Sequence, residues 1–395
     1  MKFAVFVLAA LPLAAQTADL AKCAALRHHG DPAERQCYQG LTRSNDPGIQ
    51  AEGYWGIRDY KAANDAFRAA VKAKPKDPGL RVRWGRMYLE HWQGGDADDL
   101  FGEALAIQKD YAPALYGEAL HASESFEGKA AALAEAALKS DPKLVEAREL
   151  LARMALEDNN STKAVEEAQK ALDMYPEALD AMSILATVDW MDDKKTTPWI
   201  DKILKINPRY GEAYETAAHF FVINRRYDEG IAAYRKAIEL NPALSSAKSE
   251  LGINLMRFGH DGEARQLLEE SYNAGYQPAS TVNSLKLLDT YKNYQTIETP
   301  KTILRLDKKE AALLKLYVQP EFERALATYE KKYKFKIDHP VQLEVYPNHD
   351  DFAVRTLGLP GLGGILGVTF GTVVAMDSPS SRKPGSFHWD STTQK

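Results

Sequence analysis

The stretch that decides the fold is "AANDAFRAAVKAKP", Ala62 to Pro75. Ala63, Phe67 and Ala70 recur at spacings of four and three, and Pro75 follows five residues later. Such spacings put the first three on one face of a helix, and the proline ends that helix because it cannot extend the hydrogen-bond ladder. Two small residues flanking a large one let a partner helix approach closely while the ring fills its groove.

The pattern returns along the chain. It reappears at Ala97, Phe101 and Ala104, then at Ala130, Ala134, Ala137 and Pro142, and again at Ala164, Ala168, Ala171 and Pro176. Pro208 and Pro242 are 34 residues apart, with Gly230, Tyr234 and Ala237 before the second. A last copy stands at Ala264, Leu268 and Ser271, and half a repeat out of phase Tyr54 and Tyr88 are also 34 apart. This period and composition resemble the tetratricopeptide repeat over roughly residues 20 to 290. One helical hairpin cannot bury its own apolar face, so neighbouring hairpins are expected to stack into a solenoid. The copy between Pro176 and Pro208 departs from the pattern, with Thr196, Ile200 and Ile203 in place of small and aromatic residues. Thr197 before Pro198 still supplies a cap and a first-turn proline, so a shortened second helix is expected there. Leu20 to Asp46, with Ala33 and Cys37, is expected to act as a cap.

Composition sets outer bounds. The chain has 395 residues, 45% hydrophobic and 27% charged, with a net charge of −5. That size allows two or three domains, and that charge offers no general attraction for nucleic acid or an anionic surface. Lys2, the apolar run Phe3 to Ala15 and the small residues Ala14, Ala15 and Ala18 fit a secretory signal peptide over 1–18. No later run approaches the length that spans a bilayer, so an exported protein, periplasmic or extracellular and without stable membrane insertion, is expected. Cys23 and Cys37 are the only cysteines. In an oxidising compartment they could form a disulfide; as two small buried residues they would pack equally well. Their spacing from His28 and His29 matches no common zinc pattern.

The repeats offer no catalytic constellation. His91, His121, His219 and His260 fall in different repeats without a shared spacing, as solvated or packed histidines do. The concave face of a repeat array of this kind binds peptide or protein segments, and that is the partner the resemblance implies. One subclass clamps a C-terminal carboxylate with lysines and asparagines; the equivalent positions here are Arg83, Tyr116, Leu150 and Thr216, so that clamp is absent.

After about Asn293 the character changes. "TPKTILRL" (Thr299 to Leu306) is a short β-branched run. Lys309 to Tyr333 reads as a helix with apolar Leu313, Leu316, Tyr317, Phe322, Leu326 and Tyr329. "VQLEVYP" (Val341 to Pro347) alternates as a strand, a short helix is expected from His349 or Asp350, and Val368 to Met376 reads as one strand after a glycine-rich loop. That loop lacks the features of a phosphate cradle. The order of these elements, with "GVTFGTVVAMDSPS" and "GSFHW", resembles the front lobe of the gluzincin (peptidase MA-like) zinc metallopeptidases carried after repeats in exported bacterial proteins. The resemblance implies that Val373, Val374, Ala375 and Met376 form an edge strand along a substrate cleft. It also implies a following His-Glu-x-x-His helix that binds zinc.

That helix is not found. None of the nine histidines (28, 29, 91, 121, 219, 260, 339, 349 and 388) begins an HExxH or HxxEH pattern. No catalytic or metal-binding residue can therefore be carried over, and no cofactor is expected in this chain, although zinc serves the complete family member. The closing "PGSFHWDSTTQK" places Asp390, Ser391 and Thr392 where the cap of that helix would stand.

The expected fold is mostly α: a tetratricopeptide-repeat solenoid over 19–290, followed over 297–395 by a small α+β partial gluzincin lobe. The expected function is binding of peptide or protein partners without peptidase activity. The alternative is the N-terminal part of an HExxH metallopeptidase whose catalytic half lies outside this chain.

Overall fold

A computed structural model describes residues 11–124, 127–361 and 363–381, with side chains from residue 19 onward. The signal peptide expected over 1–18 and the closing stretch 384–395 therefore lie wholly or largely outside the described residues. The chain divides into two compact units. The first holds residues 1–224 with 239–241, and the second holds 225–238 with 242–395.

The first unit is a run of helical hairpins. Helices α1 (Leu11–His28) and α2 (Glu34–Leu41) open it, followed by α3 (Pro47–Gly56) with α4 (Tyr60–Ala73). Next come α5 (Pro78–Glu90) with α6 (Gly94–Ile107), and α7 (Ala112–Glu124) with α8 (Ala130–Ser140). The series continues through α9 (Val145–Glu157) with α10 (Ser161–Met174), then α11 (Leu179–Met191), α12 (Pro198–Ile206) and α13 (Glu212–Ile223). Side-chain caps set many of the starts. The carboxylates of Asp46, Asp59 and Asp77 and the amide oxygen of Asn160 each accept from a first-turn N–H. Pro47, Pro78 and Pro198 occupy first-turn positions where their missing N–H is no loss.

The repeated small–large–small pattern is the core. Ala63, Phe67 and Ala70 are buried, as are Ala97, Phe101 and Ala104 and the alanines of the next two copies. The fit is tight: a Cβ placed on Gly117 of α7 would stand 2.5 Å from the Phe101 ring. The period also appears in the backbone. Arg58 and Trp92, Asn159 and Asp193, and, in the second unit, Arg225 and Gly259 all take positive φ. The members of each pair are 34 residues apart, and each follows the first helix of its hairpin. A left-handed residue there lets the next N–H groups return to the last carbonyls; Asp59, for example, donates to Tyr54 O at 2.9 Å. The degenerate repeat has the expected short second helix, α12, which buries only Ile200 and Ile203.

Cys23 of α1 is disulfide-bonded to Cys37 of α2. The unit coils far enough to bring its first turn against its later hairpins. Asn207 Nδ2 donates to His28 O at 3.1 Å, and the Tyr175 hydroxyl lies 3.2 Å from His28 Nε2.

The second unit contains α14 (Tyr227–Leu240), α15 (Ser245–Arg257) packed on α16 (Asp261–Asn273), and α17 (Ala279–Thr290). Then come β1 (Tyr294–Glu298), β2 (Thr302–Asp307), α18 (Ala311–Tyr333), β3 (Val341–Tyr346), α19 (His349–Leu357), β4 (Gly367–Phe370) and β5 (Val373–Asp377). The five strands form one sheet in the order β1-β2-β3-β5-β4, parallel at β2–β3 and β3–β5 and antiparallel at both ends. Leu304, Leu306, Leu343 and Val345 join Ala311 and Val318 of α18 in its apolar core. The alternate residues Arg305 and Glu344 take part in a charged network, because successive side chains of a strand point to opposite faces. The compact unit thus reaches back past the composition change at Asn293. Arg305 pairs with Asp261 of α16 at 2.6 Å, and Asn283 of α17 donates to Gly358 O at 3.2 Å.

Three sequence expectations change here. The run Val368 to Met376 is a hairpin of two strands rather than one strand, because Gly371 turns the chain at φ +52°. A Cβ at Gly371 would also stand 2.3 Å from the Phe258 ring. Val373 to Met376 therefore do not form an edge: β5 is paired to β3 on one side and β4 on the other, and β4 takes the edge position. On α18 the core side is Ala311, Leu314, Val318 and Phe322. Leu313, Leu316 and Tyr317 instead remain 63%, 68% and 58% exposed. Apolar residues fall on two stripes of that helix, and the sheet covers the one whose residues repeat every three or four positions from Ala311.

Candidate functional site

The polar side chains that the first unit gathers come from successive first helices. The α11 N-terminus is the centre of the cluster. Its early N–H groups have no intrahelical acceptor, and Ala181 N donates to Glu149 Oε1 of α9 at 3.2 Å. The positive end of α11 thus attracts a carboxylate from the neighbouring repeat. Asp180, one residue earlier, accepts from the Tyr210 hydroxyl at 2.5 Å.

These acids are short of positive charge. Burial pushes the Glu149 carboxyl up to about 8, with the nearby Asp180 charge adding to the effect. Glu212 of α13 is raised first by burial, then by Asp180, against the opposing pull of Arg58 and Arg209. Glu146, one helical turn before Glu149, also repels it. Tyr210 is pushed well above the ordinary tyrosine range by burial and then by Asp180. Tyr116 of α7 is 8% exposed and pushed up to about 12, chiefly by burial. Arg86 lies 5.5 Å over the Tyr116 ring, and Glu146, Asp180 and Glu149 all act on its hydroxyl.

The other positions named from the sequence have different fates. Arg83 is committed to Glu52 through two 2.7 Å hydrogen bonds and lies 4.4 Å over the Trp55 ring. Leu150 is buried in the apolar core, and Thr216 is half-buried on α13. Of the four, only Tyr116 joins the cluster. Glu149, Asp180, Tyr210 and Glu212 were missed. A signal existed for part of the site, since Glu146 and Asp180 differ by one period, 34 residues. The histidines do not converge: His91 packs edge-on to Tyr60, His121 pairs with Asp98 at 2.8 Å, and burial then Arg153 push His219 down to about 4.

The second unit holds a buried charge network. Glu344 accepts from Arg305 Nη1 at 2.8 Å, Arg355 Nε at 2.6 Å, Gln342 Nε2 at 2.6 Å and the Tyr346 hydroxyl at 2.7 Å. Burial alone would raise its carboxyl, but Arg355 and Arg305 outweigh that and hold it below the usual range. At the end of β5, Asp377 pairs with His349 Nδ1 at 2.9 Å. Among the described residues no group of three or more histidine, cysteine or acidic side chains is arranged to hold a metal ion. No described helix is long and apolar enough to cross a membrane.

Comparison with known proteins agrees with the repeats. Residues 128–178 and 211–244 match two tetratricopeptide-repeat family models. No curated protein matches the sequence. Among solved structures, a tetratricopeptide repeat protein from Parabacteroides merdae is 17% identical, with a TM-score of 0.43, over 64% of this chain and 99% of its own. The Cut9–Hcn1 complex of the APC/C is 14% identical, with a TM-score of 0.45, over 69% of this chain and 55% of its own. YrrB, described as having an unusual peptide-binding site, is 18% identical, with a TM-score of 0.27, over 47% of this chain and 97% of its own. The chain therefore carries tetratricopeptide repeats in a mostly helical fold that ends in a small mixed sheet.

Proposed function

We propose that the repeat solenoid binds an extended peptide or protein segment on its concave face, at the first helices α7, α9 and α11. The observation that carries this reading is the convergence of Tyr116, Glu149 and Asp180 from three successive repeats. A stacked array needs only its small and apolar positions to hold together, and these three are polar. Selection of displayed random peptides on the purified chain, followed by hydrogen exchange on the complex, tests it. Protection on α7, α9 and α11 is expected. Failure to enrich any peptide, or protection confined to α8 and α10, overturns it.

A second reading concerns the C-terminal lobe, and the mixed sheet with its antiparallel edge strand β4 favours it. We propose that the lobe is of the peptidase MA-like type and that β4, rather than β5, offers backbone groups to an extended chain by strand addition. The residues present do not fit a zinc site: no HExxH or HxxEH pair exists in the sequence. The two described lobe histidines each contact a different carboxylate, His339 with Asp338 and His349 with Asp377, and one imidazole with one carboxylate does not make a zinc site. No hydrolytic step is derived for this chain. Metal analysis of the purified chain is expected to find no stoichiometric zinc, and one tightly bound equivalent would refute this. Export to the periplasm or beyond is proposed from the N-terminal pattern together with the Cys23–Cys37 disulfide, which suits an oxidising compartment. Cell fractionation that recovers the protein only from the cytoplasm would overturn it.

A further inference from the structure

We propose that the end of α18 is a docking surface for an anionic lipid bilayer, which it meets peripherally through interleaved lysines and aromatic rings. The inference belongs to the second unit alone and does not rest on the peptide-binding reading. The segment is "YEKKYKFK", Tyr329 to Lys336. Tyr329, Tyr333 and Phe335 are 43%, 61% and 47% exposed. Lys331, Lys332, Lys334 and Lys336 are exposed among them. Large rings clustered in water are unfavourable unless something covers them, and such a patch marks an interaction surface.

The positive charge is not used inside the fold. Glu330 pairs with Lys301 at 3.0 Å and accepts from Ile337 N at 2.9 Å, and Asp338 pairs with His339 at 2.5 Å. None of the four lysines forms an ion pair with a described residue, and Lys336 acts on Glu330 only from a distance. The negative end of the α18 dipole accounts for Lys331 and Lys332 in its last turn. It does not account for Lys334 and Lys336, which follow the helix, or for the rings. The net charge of −5 gives the whole chain no attraction for an anionic surface, so the patch acts locally, within about 10 Å of that surface.

The rings favour a bilayer over a nucleic acid as the occupant. Base stacking needs an open ring face. Tyr329 and Tyr333 instead stack on each other, with centroids 5.9 Å apart and planes 15° apart, and Lys332 Nζ lies 5.2 Å from the Tyr333 centroid. Tyrosines, with an apolar body and a polar tip, settle at the headgroup level of a membrane. Lysine stems lie along apolar surface there while their ammonium groups reach the lipid phosphates. Lys334, at φ 56°, ends the helix, so Phe335 stands on the loop beyond it. Having no polar tip, Phe335 is the residue that enters the acyl boundary.

The test mixes the full chain with sedimentable vesicles of phosphatidylcholine alone or with an equal part of phosphatidylglycerol. Sedimentation with the anionic vesicles and not with the neutral ones is expected, and added salt should weaken it. Lys331→Gln and Lys336→Gln should each lower partitioning about fivefold, and the two together about 25-fold. Phe335→Ser, which leaves the charge unchanged, should lower it about tenfold. Phe335→Trp should be quenched by brominated lipid beyond any quenching of the native tryptophans. All four substitutions fall at exposed positions, so the fold should be kept, and thermal melting verifies that. Failure to sediment with anionic vesicles overturns the proposal, as does sedimentation that the lysine substitutions leave unchanged. Unchanged partitioning of Phe335→Ser also overturns it, since a merely solvated run of lysines behaves that way. A single-stranded oligonucleotide that strips the protein from the vesicles, and whose own binding is lost in the same variants, reassigns the patch to nucleic acid and overturns it too.

Discussion

Replacing Glu344 by glutamine keeps the shape of the side chain and removes its charge at the centre of the second unit. Glu344 and Arg355 are both 0% exposed, and the 2.6 Å contact between them is the only ion pair that Arg355 makes among the described residues. Arg305 retains Asp261 at 2.6 Å after the change. Arg355 retains only a 3.4 Å contact to Arg257 O, and its Nη1 already lacks a partner. The substitution also turns an amide N–H₂ toward donors that previously shared two carboxylate oxygens. Removing one member of a buried pair typically costs about 3–5 kcal/mol, chiefly because the remaining charge stays buried. Hydrogen exchange read by mass spectrometry can localise this loss. Amides of β3 and β5 should exchange about a hundred- to several-thousand-fold faster, while helices α3 to α10 serve as the internal reference. Adding Arg355→Met to Glu344→Gln should recover part of the loss, since the stranded charge is then gone. A rate increase of less than about fivefold in the single variant would show that the network is solvated and refute the reasoning. The wild-type contribution should be full above about pH 4.3 and disappear as pH falls toward the depressed folded value of Glu344.

Phe67→Ala empties a fully buried position between the first pairs of hairpins, and urea unfolding of the first unit should show a loss of about 3–5 kcal/mol. Tryptophan fluorescence suits that measurement, because five of the six tryptophans lie within residues 1–224. Lys334 closes α18 in the left-handed region at φ 56°, so Lys334→Gly should stabilise the second unit by about 0.5–1 kcal/mol; a destabilised melt would contradict this. Glu149 has a folded value of about 8, above its unfolded value of about 4.3, so the folded state keeps a proton that the unfolded state releases. Stability of the first unit should therefore fall as pH rises between those values. Glu149→Gln should remove that dependence and add about 2 kcal/mol at pH 9 and nothing at pH 4, a gain discounted because the cluster borders solvent. A pH-independent difference between the two proteins would reject the assignment.

Local pattern alone was enough to specify the repeats. Ala63, Phe67, Ala70 and their counterparts are buried because their spacing matches one helical face, and a helix reads that spacing wherever it lies. The weak copy near Thr197 and Pro198 was legible for the same reason: cap chemistry is local, and α12 begins where it predicts. In the C-terminal lobe the strand and helix types were legible, but pairing was not. Val373 to Met376 have a strand composition whether they lie at an edge or inside a sheet, and only the partners β3 and β4 decide which. Gly371 could have continued the strand or turned it, and the Phe258 ring packed against it belongs to the turn after α15, more than a hundred residues earlier. The candidate site shows the same division. Glu149, Asp180, Tyr116 and Tyr210 are ordinary residues in sequence. The altered proton affinities of Glu149, Tyr116 and Tyr210 arise because α7, α9 and the loop before α13 bury them beside α11. Helix formation is written over a few residues, whereas charge density at a point depends on which distant residues the stacking places there.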